Sequence, residues 1–235
     1  MNAFTTWLTR RNPLLTDAQR RRCERLPRAA ALSVAPLNTQ RFVVVDVETT
    51  GLNLHRDQVL SIGAVVIDQG AIHFAEQFER TLQREYQTPG PSVLIHGIAP
   101  SEIAAGDDPA EVLLDFMEFV GNSPLLAFHA GFDQRMLTRA LKESLGYKLP
   151  NPFIDLAHLA PLLCPQVRFP NAGLDDWLEH FGLQVQQRHN ASADALVSAE
   201  LALILFNRAR RQQLDSPDLL ARRVSNWRRR QAHAL

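Results

Sequence analysis

Between positions 41 and 81 the apolar residues fall in dense runs rather than at helical spacing. Phe42 to Val47 is β-branched or aromatic apart from Asp46, which predicts a strand over 41–48 in the middle of a sheet. QVLSIGAVVID over 58–68 and the stretch 71–80 predict two more strands. Gln69-Gly70 between them is a short hairpin signal, so the three strands form an antiparallel meander. The period then changes. Val112, Leu113, Phe116, Phe119 and Val120 repeat at helical spacing behind Asp108-Pro109, a helix start. Strands are expected at 124–129 and 153–154, with helices from Gly131 to about Leu145, from Asp155 to Leu163, over 174–181 and over 191–208. Pro89-Gly90-Pro91 marks a loop. A meander followed by alternating helices and strands predicts an α/β fold, a mixed sheet covered by helices with the opening strand central.

The full chain has 25 basic and 25 acidic residues, so its formal net charge is zero, but the charges are unevenly placed. Residues 1–41 carry eight arginines against Asp17 and Glu24, and eight more follow Asn207 against Asp215 and Asp218. This divides the chain into a basic extension over 1–40, a more acidic domain over 41–207 and an arginine-rich tail over 208–235. Basic arms around an acidic centre suit a polyanion held outside and a metal held inside. Two solvated arginine-rich helices would give the same charge pattern. Cys23 and Cys164 have no metal-type spacing and read as reduced thiols. With no apolar run near membrane length and no secretory leader pattern, a cytoplasmic protein is expected.

The candidate chemistry starts at Asp46 and Glu48. Alternation along a strand points both the same way from its end, and Thr49-Thr50-Gly51 then reads as a turn. One acid could be a cap or an ion-pair partner and the other solvated; two on one face of a buried strand end suggest a cation site. Asp133 falls in the first turn of the helix after the fourth strand, at a strand end where ligands gather in open α/β sheets. Asp194 lies early in a helix capped by Asn190 or Ser192, and its neighbours Ala191, Ala193 and Ala195 allow close approach to the sheet. His189 sits in the preceding loop, able to lean over the same place.

In this order, VVVDVETTGL, IHGI, FHAGFD and HNASADA resemble the motifs of the DEDDh 3′–5′ exonucleases, the DnaQ-like family of the proofreading epsilon subunit of bacterial DNA polymerase III. The resemblance covers about 41–207 and implies a ribonuclease-H-like, five-stranded mixed sheet. It implies two divalent ions, Mg²⁺ or Mn²⁺, with Asp46 bridging both. Glu48 and Asp194 would sit on the ion that activates water, and Asp133 on the other. His189 would take the proton of the attacking water. The same likeness places the backbone of Thr49 and Thr50 at the terminal 3′-hydroxyl, Leu52 beside the last base, and His96 and Phe132 around the nucleotide. For Leu52 and Phe132, core packing is the competing reading. Carboxylates about 4 Å apart repel by about 4 kcal/mol per pair at an effective dielectric near 20, so four of them need cations or protons.

Many relatives carry asparagine where Ala130 follows His129, a position that ligates no metal. Gln213-Leu214-Asp215 begins like a sliding-clamp peptide, but Ser216-Pro217 lacks its hydrophobic end. The expectation is therefore a 3′–5′ exodeoxyribonuclease of proofreading or repair type. Its partners would be single-stranded or frayed DNA 3′ ends and a DNA polymerase or repair protein. An exoribonuclease is the alternative. A non-catalytic nucleic-acid-binding module is the third reading, and the presence of all five chemical residues speaks against it.

Overall fold

The computed structural model describes residues 15–85, 93–169, 172–185 and 187–232. The loop expected at Pro89-Gly90-Pro91 lies outside these residues. A single five-stranded sheet runs β3-β2-β1-β4-β5, built from β1 (Phe42–Thr49), β2 (Val59–Asp68), β3 (Ala71–Thr81), β4 (Leu125–Ala127) and β5 (Phe153–Asp155). β1 pairs antiparallel with β2 and parallel with β4, so the opening strand is central as expected. Gln69 and Gly70 both take positive φ, 50° and 74°, the backbone that a two-residue hairpin turn requires.

Alternation along β1 divides the core. Val43, Val45 and Val47 pack under α4 (Pro109–Val120) and α5 (Gly131–Leu145). Phe42 and Val44 face the opposite layer, α6 (Leu156–Leu163), α7 (Leu174–Phe181) and α8 (Ala191–Arg211). Both sheet faces are covered, which is why the strand reads as a continuous apolar run rather than an alternating one. Asp108 caps α4, accepting from the N–H groups of Ala110 and Glu111 at 3.0 Å.

Several boundaries differ from the sequence reading by one or more residues. The fourth strand is Leu125–Ala127 rather than 124–129, because His129 turns to φ 60° to start α5 and leaves the strand direction. β5 runs one residue further than expected, to Asp155, which also caps α6 by accepting from Ala157 N–H. α8 continues to Arg211, three residues further, as Ala209 remains fully buried.

Each basic arm contributes a packed helix. α1 (Asp17–Arg25) starts with a capping box between Thr16 and Gln19. Its Arg22 reaches Glu111, Asp115 and Glu118 of α4 at 2.6–2.7 Å, which holds the guanidinium pKa above its ordinary value. Arg41 donates to the Phe119 and Val120 carbonyls, closing the carboxyl end of α4. α9 (Pro217–Ala232) anchors through buried Leu220 and Val224 in the α6–α8 layer. Two short helices, α2 (Val93–His96) and α3 (Pro100–Ala104), precede α4. Cys23 and Cys164 are unpaired. Among the described residues no helix is long and apolar enough to cross a membrane.

Candidate active site

The carboxyl end of β1 is where the two helical layers meet. Asp46 and Glu48 continue the face that carries Phe42 and Val44, so they emerge under α8. Asp46 lies opposite Gly63 of β2. A Cβ at Gly63 would stand 2.1 Å from the Ala191 carbonyl carbon and 2.2 Å from the Ser192 nitrogen, so only glycine lets the first turn of α8 rest on the sheet here. Asn190 caps that turn, its side chain accepting from Ala193 N–H at 3.0 Å. The cap and the missing Cβ together bring Asp194 to β1. Carboxylate oxygens of Asp46, Glu48 and Asp194 lie within 4.8 Å of one another.

Asp133 approaches from the other layer, in the first turn of α5, and is 4% exposed. It belongs to the same cleft, a space of about 460 Å³ lined also by Asp46, Glu48, His189 and Asp194. The structure therefore gathers the four acids and the histidine that the sequence motifs single out.

Their electrostatics show an excess of negative charge. Burial, followed by the charges of Asp133, Asp194 and Glu48, pushes Asp46 well above the usual carboxylate range. Burial and Asp194 push Glu48 up to about 7. Asp133 is pushed up to about 8, burial outweighing the N–H groups of Asp133 and Val47 that hydrogen-bond its carboxylate. A cluster of hard oxygen donors that resists ionisation this strongly fits a divalent cation.

Arg188 is the residue the sequence reading missed. Its guanidinium pairs with the Asp194 carboxylate and with Asp175 at 2.5 Å, and its charge favours ionisation of Asp46 and Glu48. Nothing in the motif distinguishes it, because an arginine in a loop is ordinarily solvated. Gly63 was the second omission, and there a signal exists: glycine inside an apolar strand marks close backbone approach. His189 sits in the turn before α8 at φ 60°, with an exposed side chain, and its N–H donates to Asp194 Oδ2 at 3.0 Å.

Of the residues expected to receive a nucleotide, Leu52 and Phe132 line the same opening. Leu52 is 83% exposed and lines the cleft, so it is not a core residue. Phe132 packs against the core and also lines the cleft. His96 is buried, and its pKa is lowered first by burial and then by His189. Gly97, at φ 70°, turns the chain so that Ile98 N–H donates to His96 Nδ1 at 3.1 Å. The Thr49 hydroxyl closes the turn onto Gly51 at 2.8 Å, and Thr50 N–H donates to the Gln58 carbonyl at 2.9 Å.

A family model described as exonuclease (RNase_T) matches residues 43–202, and the chain belongs to that family. A PolC-type DNA polymerase III of Clostridium perfringens is 31% identical over 76% of this chain, which spans 12% of that relative's length. The DNA polymerase III epsilon subunit of Aquifex aeolicus is 28% identical over 68% of this chain and 77% of its own. Among solved structures, Escherichia coli exonuclease I in complex with a dT13 oligonucleotide shares the fold at TM-score 0.63 and 22% identity, over 74% of this chain and 42% of that one. Cell-death related nuclease 4 gives 0.64 at 17% identity, over 72% and 64%.

Proposed function

We propose that this exonuclease hydrolyses nucleic acid from the 3′ end, with DNA as its main substrate, releasing nucleoside 5′-monophosphates. The observation that supports it is the meeting of Asp46, Glu48 and Asp194 within 4.8 Å at one strand end, with Asp133 and His189 on the same cleft. Asp46, Glu48, Asp133 and Asp194 would hold two divalent ions, Mg²⁺ or Mn²⁺. Such ions, when bound, neutralise the attacking and leaving oxygens of an in-line phosphoryl displacement.

The chain's own groups do the rest. His189, exposed in its turn, accepts the proton of the attacking water at its imidazole. Its N–H on Asp194 couples the turn to the acid cluster. Leu52 presents an apolar edge to the terminal base, with Phe132 and His96 bordering the nucleotide and the turn at Thr49 and Thr50 receiving the 3′-hydroxyl. The catalytic unit is taken as 41–207, with the segments on either side as extensions. DNA is favoured over RNA because the relatives named above are DNA polymerase III proteins. The same likeness supports single-stranded or frayed DNA ends as partners, and a polymerase or repair complex as the setting.

The deciding experiment follows digestion of 5′-labelled single-stranded DNA, mismatched duplex and RNA in Mg²⁺ or Mn²⁺. Asp46→Ala is expected to lower the rate by about 10²–10³-fold, as for loss of a central electrostatic group. Equal digestion by the two proteins would refute the reading. Faster cutting of RNA than DNA would transfer it to the exoribonuclease alternative.

A further inference from the structure

A second opening lies on the far side of β4 from the β1–β2 turn. It is a cleft of about 510 Å³ along the open edge of β5, between that strand, the first turn of α6 and α9. Among the described residues β5 pairs with β4 alone, so its outer edge has no strand partner there. Phe153, Ile154 and Val224 give the cleft an apolar floor, and Arg228 and Arg229 rim it. Among the described residues Arg228 has no acidic partner, and Arg229 donates only to Asn226, at 2.6 Å. The acid facing the cleft, Asp155, is engaged: it caps α6 and lies 3.0 Å from His158 Nδ1. The Trp227 ring stands 6.2 Å from that of His158. A basic rim, an apolar floor and neighbouring aromatics match the way proteins bind single strands, by tracking phosphates and stacking bases.

Topology relates this cleft to the acids. Asp155 is level with Ala127 of β4, whose preceding residues pair with Val43 and Val44 of β1. The cleft therefore opens at the same end of the sheet as Asp46, two strand spacings or about 10 Å to the side. Asp155 is also near enough to raise the Asp133 pKa. Leu52 and the Thr49–Gly51 turn lie on the opposite side, where β1 connects to β2. A strand whose 3′ terminus sits in that turn and whose upstream part crosses the acids would pass toward β4 and β5.

We propose that the β5–α9 cleft binds the phosphate backbone of a single-stranded nucleic acid a few nucleotides upstream of the cut, with Arg228 and Arg229 as its phosphate contacts. This rests on the exonuclease reading above and extends it to the part of the substrate that is not cut. The test uses the full chain carrying Asp46→Ala, so that oligonucleotides persist, with and without Arg228→Gln plus Arg229→Gln. Fluorescence anisotropy follows 5′-labelled thymidine trinucleotide and dodecanucleotide through a salt series. The dodecanucleotide is expected to lose about tenfold in affinity, and its salt slope to flatten by about 1.4, since each single-strand phosphate contact contributes about 0.7. The affinity gained between trinucleotide and dodecanucleotide shrinks accordingly. Ser225→Glu, an added charge at an exposed position of the cleft, is expected to weaken the longer oligomer in the same way without removing any contact. Unchanged dodecanucleotide affinity and slope in both variants would overturn the proposal and leave the cleft to a protein partner. Digestion of the oligomers by the Asp46→Ala chain at the wild-type rate would overturn the assignment of the centre instead, a separate result.

Discussion

At the scale of residues, the centre is a set of like charges packed close together, of which three could hold a cation. Glu48 and Asp133 have folded pKa values raised to about 7 and about 8, above those of an unfolded chain. Groups shifted this way contribute stability that is complete below the unfolded value and lost as pH climbs through the folded one. Metal-free protein should therefore lose stability between about pH 4 and 8, by an amount on the order of a few kcal/mol or roughly 5–10 °C in melting temperature. Melting curves in chelator should show this fall, and curves in excess Mn²⁺ should not. Arg188 supplies the positive charge meanwhile, paired with Asp194. Arg188→Gln removes a competitor for that carboxylate, so Mn²⁺ should bind about tenfold tighter, about 1.4 kcal/mol, by titration calorimetry. Weaker binding would assign Arg188 to holding Asp194 in place instead. The acids and His189 were legible because their order and spacing form motifs. Arg188 was not, since its significance depends on which carboxylate it meets after folding.

At the scale of elements, the seating of α8 on β2 determines whether the acids meet. Gly63→Ala would drive a methyl group into the backbone of Ala191 and Ser192. The helix start must lift, taking Asp194 away from Asp46 and Glu48. The expected result is a folded protein that has lost at least about 10²-fold in activity and much of its Mn²⁺ affinity, with misplacement near 1 Å sufficient for the first effect. Circular dichroism and titration calorimetry would separate that from unfolding. The long elements were readable because burial repeats along them, as at Val112, Leu113 and Phe116 of α4. β4 was overextended because Phe128 continues the apolar run, while the turn at His129 is imposed by the packing of α5.

At the scale of the whole molecule, both basic arms hold part of their charge in ion pairs, Arg22 with α4 and Arg210 and Arg222 with Asp215 and Asp218. Arg22 is bound to three acids of α4, so part of the amino-terminal charge is structural. Arg22→Ala should release α1 and speed tryptic cleavage at exposed Arg20, Arg21 and Arg25 by about tenfold, roughly the effect of losing 1.4 kcal/mol of docking. Unchanged cleavage would show that Gln19 and the neighbouring apolar contacts suffice to hold the helix. Charge counting could not separate these roles, because the acids of α4 that absorb Arg22 are about ninety positions away in the chain.

The backbone of His189 bears on how such a chain can change over generations. At φ 60° most side chains are disfavoured, and glycine is the residue that adopts this conformation without cost. Histidine tolerates the left-handed region better than most, yet a sequence drifting under selection for robustness alone would tend toward glycine there. If His189 takes the proton as proposed, keeping an imidazole at this place sets that role against backbone ease. Library screening for stability alone could select glycine at position 189, and on the proposed role of His189 would then trade turnover for lifetime.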